Sequence, residues 1–319
     1  LKKLLLVLAL FLPLTTLAQS YPNKPIRWVV PYTGGGITDV VTRIVTQKMS
    51  GPLGQPIVVD NRPGANSILG SDVAAKAAPD GYTMVTVIAG YAANVTLYAG
   101  KLPFDPLKDL VPVSLAAIAP LVLTVNPNLP AKDVKELIAY AKANPGKLNF
   151  GSSGIGAAAH LTCELFKQTV GIDMVHIPFK GTAPAMQAAM ANDIQILVDT
   201  PSSLMPQVRG GKLRALGMFS GKRLPAYSDV PTIAEAGGPA LESSTWVLFM
   251  APGGTPKEIV ARLAAETAKA LKEPDIRERL SQTGIEPVGN TPEQAKQFLD
   301  AEIAKWAKVI NTAGVKAEQ

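Results

Sequence analysis

The sequence predicts an α/β protein of two lobes, each a doubly wound, mostly parallel sheet flanked by helices, with a ligand cleft between them. Three observations carry that prediction. β-Branched runs alternate with amphipathic helical runs along most of the chain, which is the pattern of βαβ units. The alternation starts twice, once near Ile26 and again near Leu121. Each series contains the same device, a strand running into a glycine-rich turn and then a helix. The first turn is Pro31-Tyr32-Thr33-Gly34-Gly35-Gly36-Ile37-Thr38-Asp39, and the second is Gly151-Ser152-Ser153-Gly154-Ile155-Gly156.

In the first series Ile26–Val30 reads as a strand and Val40–Met49 as a helix. Pro56–Asp60 is a second strand, Asn61–Ala65 a turn, Ile68–Ala77 a helix and Tyr82–Val87 a third strand. The second series runs Leu121–Val125 (strand), Lys132–Ala143 (helix), Leu148–Phe150 (strand) and Ala157–Thr169 (helix). It continues with strand Met174–Ile177, helix Pro184–Ala191, and strands Ile194–Val198 and Leu213–Met218. Trp246–Met250 is strand-like, and two amphipathic helices follow, Pro256–Lys272 and Pro292–Thr312. Those last helices need a sheet face to cover. The chain is therefore expected to leave lobe one near Leu121 and return near Ser220. Residues 19–121 and 221–319 then form one lobe and 122–220 the other.

The 319 residues suffice for two ordinary domains. With 47% hydrophobic and 18% charged residues, the chain is globular rather than disordered. Lys2 and Lys3, the short apolar run Leu4–Leu12 and the small residues up to Ala18 read as a secretory signal peptide, residues 1–18, cleaved near Ala18. A net charge of +6 without a dense Lys/Arg run argues against nucleic-acid binding. The single Cys163 excludes an internal disulfide, and its place beside Leu161 and Leu165 reads as a buried small hydrophobe.

Each glycine turn ends a strand and presents a helix N-terminus, with unpaired N–H groups and a positive dipole end, to whatever lies above the sheet. Two such loops let two lobes offer donors to one anionic ligand. Neither turn matches a nucleotide fingerprint: G-x-G-x-x-G from Gly34 needs glycine where Asp39 stands. Tyr32, Thr33 and Thr38 can donate hydroxyls, and Gly34 and Gly35 let backbone approach a ligand. Asp39 reads equally as a first-turn acid or a ligand contact. The second turn is not a G-x-S-x-G nucleophile elbow, because Ile155 stands at the last glycine position. A secreted serine hydrolase using Ser152 or Ser153 with His160 is the alternative reading. A packed His160 bonded to a loop carbonyl, and a strand-packed His176, are the simpler ones. Two histidines and one cysteine so dispersed make no transition-metal site. A third strand–turn–helix junction, Pro178–Pro184, brings Gly181, Thr182 and Ala183 toward the cleft. Lys180 there is either a carboxylate partner or a solvated lysine. Asp199 and Thr200 end another strand facing the same cleft, with Asp199 either receiving a ligand ammonium or capping the next helix.

These stretches, in this order, resemble the Bug family, periplasmic solute receptors of the tripartite tricarboxylate transporter type. The resemblance is carried by Val29–Asp39 with Arg43, Asp60–Ala65, Ala78–Thr83, Val175–Pro184, Gly211–Leu216, Asp229–Gly237, Ala251–Pro256 and the Lys305-Trp306 helix. It implies a type II-like periplasmic binding protein that closes on its ligand like a Venus flytrap, a non-enzymatic monomer without cofactor or metal. The implied ligand is a small carboxylate: a di- or tricarboxylate, an acidic amino acid or an aromatic acid. The implied partners are integral-membrane permease subunits, or none if the protein is a sensor. Family-type contacts are backbone N–H groups, small hydroxyls and bridging water, which fall here among Tyr32, Gly34, Gly35, Thr38 and Asp39 of one lobe. In the other lobe they fall among Ser152, Ser153, Gly154 and Gly181 to Ala183. Two departures stand out. Gln195 replaces a frequent acid, and Gly36-Ile37 replaces a proline-containing loop, making the pocket mouth more apolar.

Overall fold

The computed structural model describes residues 21–317, so the expected leader lies outside the described residues. The first lobe begins with β1 (Ile26–Val30), α1 (Ile37–Leu53), β2 (Ile57–Asn61), α2 (Ile68–Ala75), β3 (Thr83–Val87), α3 (Ala89–Leu97) and β4 (Leu110–Pro120). The second lobe holds β5 (Val122–Val125), α4 (Val134–Ala143), β6 (Asn149–Ser152), α5 (Ala158–Val170), β7 (Val175–Pro178), α6 (Thr182–Ala191), β8 (Ile196–Asp199), α7 (Pro201–Arg209) and β9 (Arg214–Met218). The chain then returns through β10 (Ser244–Pro252), α8 (Lys257–Lys272), α9 (Pro274–Ser281), β11 (Glu286–Pro287) and α10 (Pro292–Ala313).

The first sheet has the order β11-β4-β10-β3-β1-β2 and the second β7-β6-β8-β5-β9. The two-lobed α/β architecture is the one expected. The sheets, however, are mixed rather than mostly parallel. β1 pairs in parallel with β2 and β3, but β10 runs antiparallel between β3 and β4. In the second sheet β6 is parallel to β7 and β8, whereas β5 is antiparallel to β8 and β9. The antiparallel strands are those that carry the chain between lobes. They enter each sheet from the hinge side, opposite to the βαβ strands.

The inner strands of the first sheet are largely apolar on both faces because helices cover both. Trp28, Met49, Phe249 and Leu263 pack between the sheet and helices α1 and α8. Val29, Tyr91, Trp246 and Trp306 fill the opposite face under α3 and α10. The second sheet is likewise covered twice, with Phe150, Phe166 and Leu137 on one face and Leu204, Met205 and Leu197 on the other.

The return to lobe one falls later than expected. Phe219, Ile233 and Ala236 lie in one second-lobe core, and Leu224, Tyr227 and Val230 in the other. The crossing is therefore near Ser243, not near Ser220. There the two linking segments run side by side: Leu121 N–H donates to Ser243 O at 3.2 Å, and Ser243 N–H to Phe219 O at 3.0 Å. Helix α5 reaches across the hinge. Ala159, Cys163 and Phe166 belong to the second-lobe core, while Leu161 is buried in the first.

One polar knot anchors the last helix under the hinge strand. Glu302 of α10 is buried, and its Oε2 accepts from Trp246 Nε1 at 2.8 Å and Trp306 Nε1 at 2.9 Å, while Lys305 pairs with Oε1. Removing the carboxylate strands two buried indole donors. Glu302→Ala is expected to cost on the order of 3 kcal/mol in urea denaturation, and Glu302→Gln, which keeps an acceptor, less. A loss below about 1 kcal/mol for the alanine variant would contradict this role.

Candidate ligand cleft between the lobes

A cleft of about 510 Å³ opens between the lobes, lined by residues of both. Helix starts form most of its wall. Gly36, Ile37 and Thr38 open α1, and Ile88 and Gly90 open α3 from the first lobe. Ala157 and Ala158 open α5, Gly181 and Thr182 open α6, and Thr200 precedes α7 from the second. None of these five helices has a side chain capping its first turn. Away from the cleft, Asp133 caps α4 and Thr291 forms a capping box on α10, while α2, α8 and α9 also start without a side-chain cap. The first N–H groups of a helix have no partner within it. Here they face the cleft, and their dipoles make it positive without a cation. Among the described residues no Lys, Arg or His lines it, and Asp199 is its only charged side chain.

Two buried networks set the turns that deliver these donors. In the first turn Asp39 does not line the cleft. Its Oδ2 accepts from Gly35 N–H at 3.0 Å, and its Oδ1 from Arg43 Nε at 2.9 Å and Asn61 Nδ2 at 3.0 Å. Burial pushes this carboxyl up, but the bonds from Arg43, Gly35 and Asn61 prevail and hold it below the usual range. Asn61 also donates to Tyr32 O at 3.0 Å. The acid is thus engaged within the turn, as its reading as a first-turn acid expects. Gly35 sits at φ +89°, a conformation glycine adopts freely and L side chains rarely do.

The second turn is held by Ser152 and two histidines. Ser152 is fully buried, and its Oγ lies 2.7 Å from His176 Nε2. The same hydroxyl accepts from Gly154 N–H. His160 stacks on His176 with ring centroids 3.7 Å apart and planes 10° apart. Its Nδ1 accepts from Gly156 N–H at 3.1 Å, so it holds a loop N–H and not a loop carbonyl. Burial first, then His176 and Lys167, lowers the His160 pKa to about 3; burial and Lys167 lower that of His176 to about 4. Both rings are neutral at neutral pH. Among the described residues no hydrogen bond joins Ser153 to His160, and Ser152 meets His176, not His160. The hydroxyl is sealed from solvent, and no carboxylate bonds either ring among the described residues.

Of the residues expected at the site, Tyr32, Thr33, Gly35, Thr38, Ser153, Gly181, Thr182 and Asp199 line the cleft. Gly34, Asp39, Ser152, Gly154 and Ala183 do not. Asp199 accepts from Thr182 Oγ1 and from Thr200 N–H, each at 2.7 Å. Sequence reasoning missed Asn66, Ser202, Ser203, Thr245 and Thr283, which also line it. Ser202 and Ser203 carried a usable signal, Thr200-Pro201-Ser202-Ser203, a helix start with proline at its first position. Thr245 and Thr283 carried none. No group of His, Cys, Asp and Glu able to hold a metal ion occurs among the described residues.

Two lobes around such a cleft define a solute-binding receptor of the periplasmic binding-protein fold. Residues 41–315 match the tripartite tricarboxylate transporter family receptor, and the chain belongs to that family. Protein BugT of Bordetella pertussis is 38% identical over 301 residues, covering 94% of this chain and 92% of that protein. A solved structure described as a periplasmic transporter is 41% identical, with TM-score 0.83, over 93% of this chain and all of its own (100%). R. palustris Rpa4515, solved with adipate, is 36% identical with TM-score 0.84, over 93% of this chain and 99% of that one.

The histidine pair has a consequence for acid stability. An unfolded histidine titrates near pH 6.5, far above the folded values of about 3 and about 4. The unfolded chain therefore binds protons first as pH falls. Stability is full above about pH 6.5 and declines through the acid range, by up to about 1.4 kcal/mol per pH unit for each ring. Urea denaturation between about pH 6.5 and 5 tests this, and an unchanged free energy there would contradict it.

Proposed function

We propose that the protein is a periplasmic receptor that binds a small carboxylate between its lobes and delivers it to the membrane subunits of a tripartite tricarboxylate-type transporter. One observation carries this reading. Five helix starts without side-chain caps converge on a cleft that contains no cationic side chain among the described residues. Such a wall suits an oxyanion, held by N–H groups and small hydroxyls. Membership in the receptor family and the adipate bound by Rpa4515 support the same ligand chemistry. The contacts we assign are Thr33 and Thr38 of the first lobe and Ser153 and Thr182 of the second, with Tyr32, Gly35, Gly181 and Asp199 beside them; the Gly35 and Gly181 N–H groups already donate to Asp39 Oδ2 and Ser153 O.

A ligand touching both lobes favours the closed arrangement over the open one by its difference in affinity for the two, and so shifts the population toward closure. The closed form is then what a permease recognises. Nothing in this scheme needs a covalent step.

Thermal unfolding against a panel of di- and tricarboxylates, acidic amino acids and aromatic acids tests the reading. A ligand at 100 times its Kd stabilises by about 2.7 kcal/mol. A shift confined to one acid class is expected, and no shift with any acid, in protein shown by mass spectrometry to carry no ligand, would contradict it. Gly35→Val forces a β-branched residue into the left-handed region, breaks the Gly35 N–H bond to Asp39 and so displaces the turn that leads into α1. It is expected to weaken the responding acid by about tenfold or more in calorimetric titration, and unchanged affinity would contradict the assigned anion site.

A further inference from the structure

We propose that Asp199 takes up a proton when an anionic ligand enters the cleft, so that carboxylate binding is coupled to pH. The inference rests on the receptor reading above and names the residue that sets its pH response. Asp199 ends β8, and its carboxyl group lies on the cleft wall between the starts of α6 and α7. Thr182 Oγ1 and Thr200 N–H hold it there, one on each oxygen.

No cation answers this carboxylate. The paired residue on β5 is Val122; α6 contributes Thr182, and α7 contributes Thr200, Ser202 and Ser203. No charged side chain acts on it from any of these elements. Across the cleft the first lobe presents the Tyr32 phenol, whose buried hydroxyl has no hydrogen bond of full geometry. A ligand carboxylate drawn to the helix starts therefore shares a partly desolvated cleft with one fixed negative charge of its own sign. Like charges in such a site cannot both remain ionised without a large cost.

Protonation resolves the conflict. One solvent proton adds to a carboxylate oxygen, no other bond changes, and the acceptor-only group becomes a donor toward the ligand. Burial, only partly opposed by Thr182 and Thr200, already pushes this carboxyl above the usual range. A bound anion pushes it further in the same direction.

Calorimetric titration with adipate, and with succinate and suberate as length variants, tests the proposal on the wild-type protein and on Asp199→Asn. Wild-type affinity is expected to fall by up to about tenfold per pH unit within the range from about pH 5 to 8. The variant contains the same ligand titration but lacks the steep fall, and at about pH 8 it binds at least as tightly as the wild type. Wild-type titrations in phosphate and in Tris, which differ in ionisation enthalpy, are expected to report net proton uptake where the ligand is fully ionised. That measurement stands without the variant. Wild-type and variant profiles that coincide, with no proton uptake, would overturn the proposal. So would weaker binding of these diacids by the variant at every pH, which marks Asp199 as a residue that supports the site in its anionic form. If no acid of the wider panel binds either protein, the carboxylate reading itself fails, and the proposal with it.

Discussion

A carboxylate leaving water must find donors that replace its hydration, and in this cleft we propose that helix-start amides, with small hydroxyls beside them, supply them. Everything else in the structure follows from that constraint. Backbone amides cannot swing toward a ligand as a lysine can, so they must be held in place before it arrives. The helices that open onto the cleft start without side-chain caps, which leaves their first N–H groups free of side-chain partners. The cost of leaving those starts uncapped is offset by networks behind the wall. Asp39, Arg43 and Asn61 brace one turn, and Ser152, His176 and His160 brace the other.

The same logic explains why charged and titratable groups sit one layer back. Asp39 would repel a carboxylate at the cleft surface; behind it, the acid fixes Gly35 instead. The histidines are kept neutral by burial, so the second turn holds its shape without adding a charge. Asp199 is the exception, an acid on the wall itself. Helix α5 links these devices to the hinge. It begins at the cleft, carries His160, buries Leu161 in the first lobe, and its Thr162 hydroxyl meets that of Ser243 at 2.7 Å. Movement between the lobes and the geometry of the second turn therefore share one rigid element.

Much of this was legible in the sequence, for identifiable reasons. The runs Ile26–Val30, interrupted only by Arg27, and Ile196–Val198 are largely apolar on both faces, as buried strands require, and glycine turns punctuate them visibly. What was missed depended on tertiary packing. α3, with Ala89, Gly90, Ala92 and Ala93 buried, shows no polar face, and β4 begins with a proline-interrupted run. Leu224 to Ala236 has no period, so only its packing reveals that it belongs to the second lobe. The Ser152–His176 bond was invisible because it depends on register. Phe150 lies opposite His176 on adjacent parallel strands, which places Ser152 on the diagonal of the same face. His160 drew attention as a base because it follows the serines in sequence, yet helix geometry carries it to the glycine loop instead.

The central claim is that backbone amides at helix starts, and no cationic side chain, hold the ligand's carboxylate. A crystal structure of a carboxylate complex tests it most directly. The account predicts carboxylate oxygens within about 3.2 Å of N–H groups or bridging waters at the starts of α1 and of α5 or α6. A carboxylate seated instead on Lys180 or on any arginine, with those amides facing solvent, would contradict it.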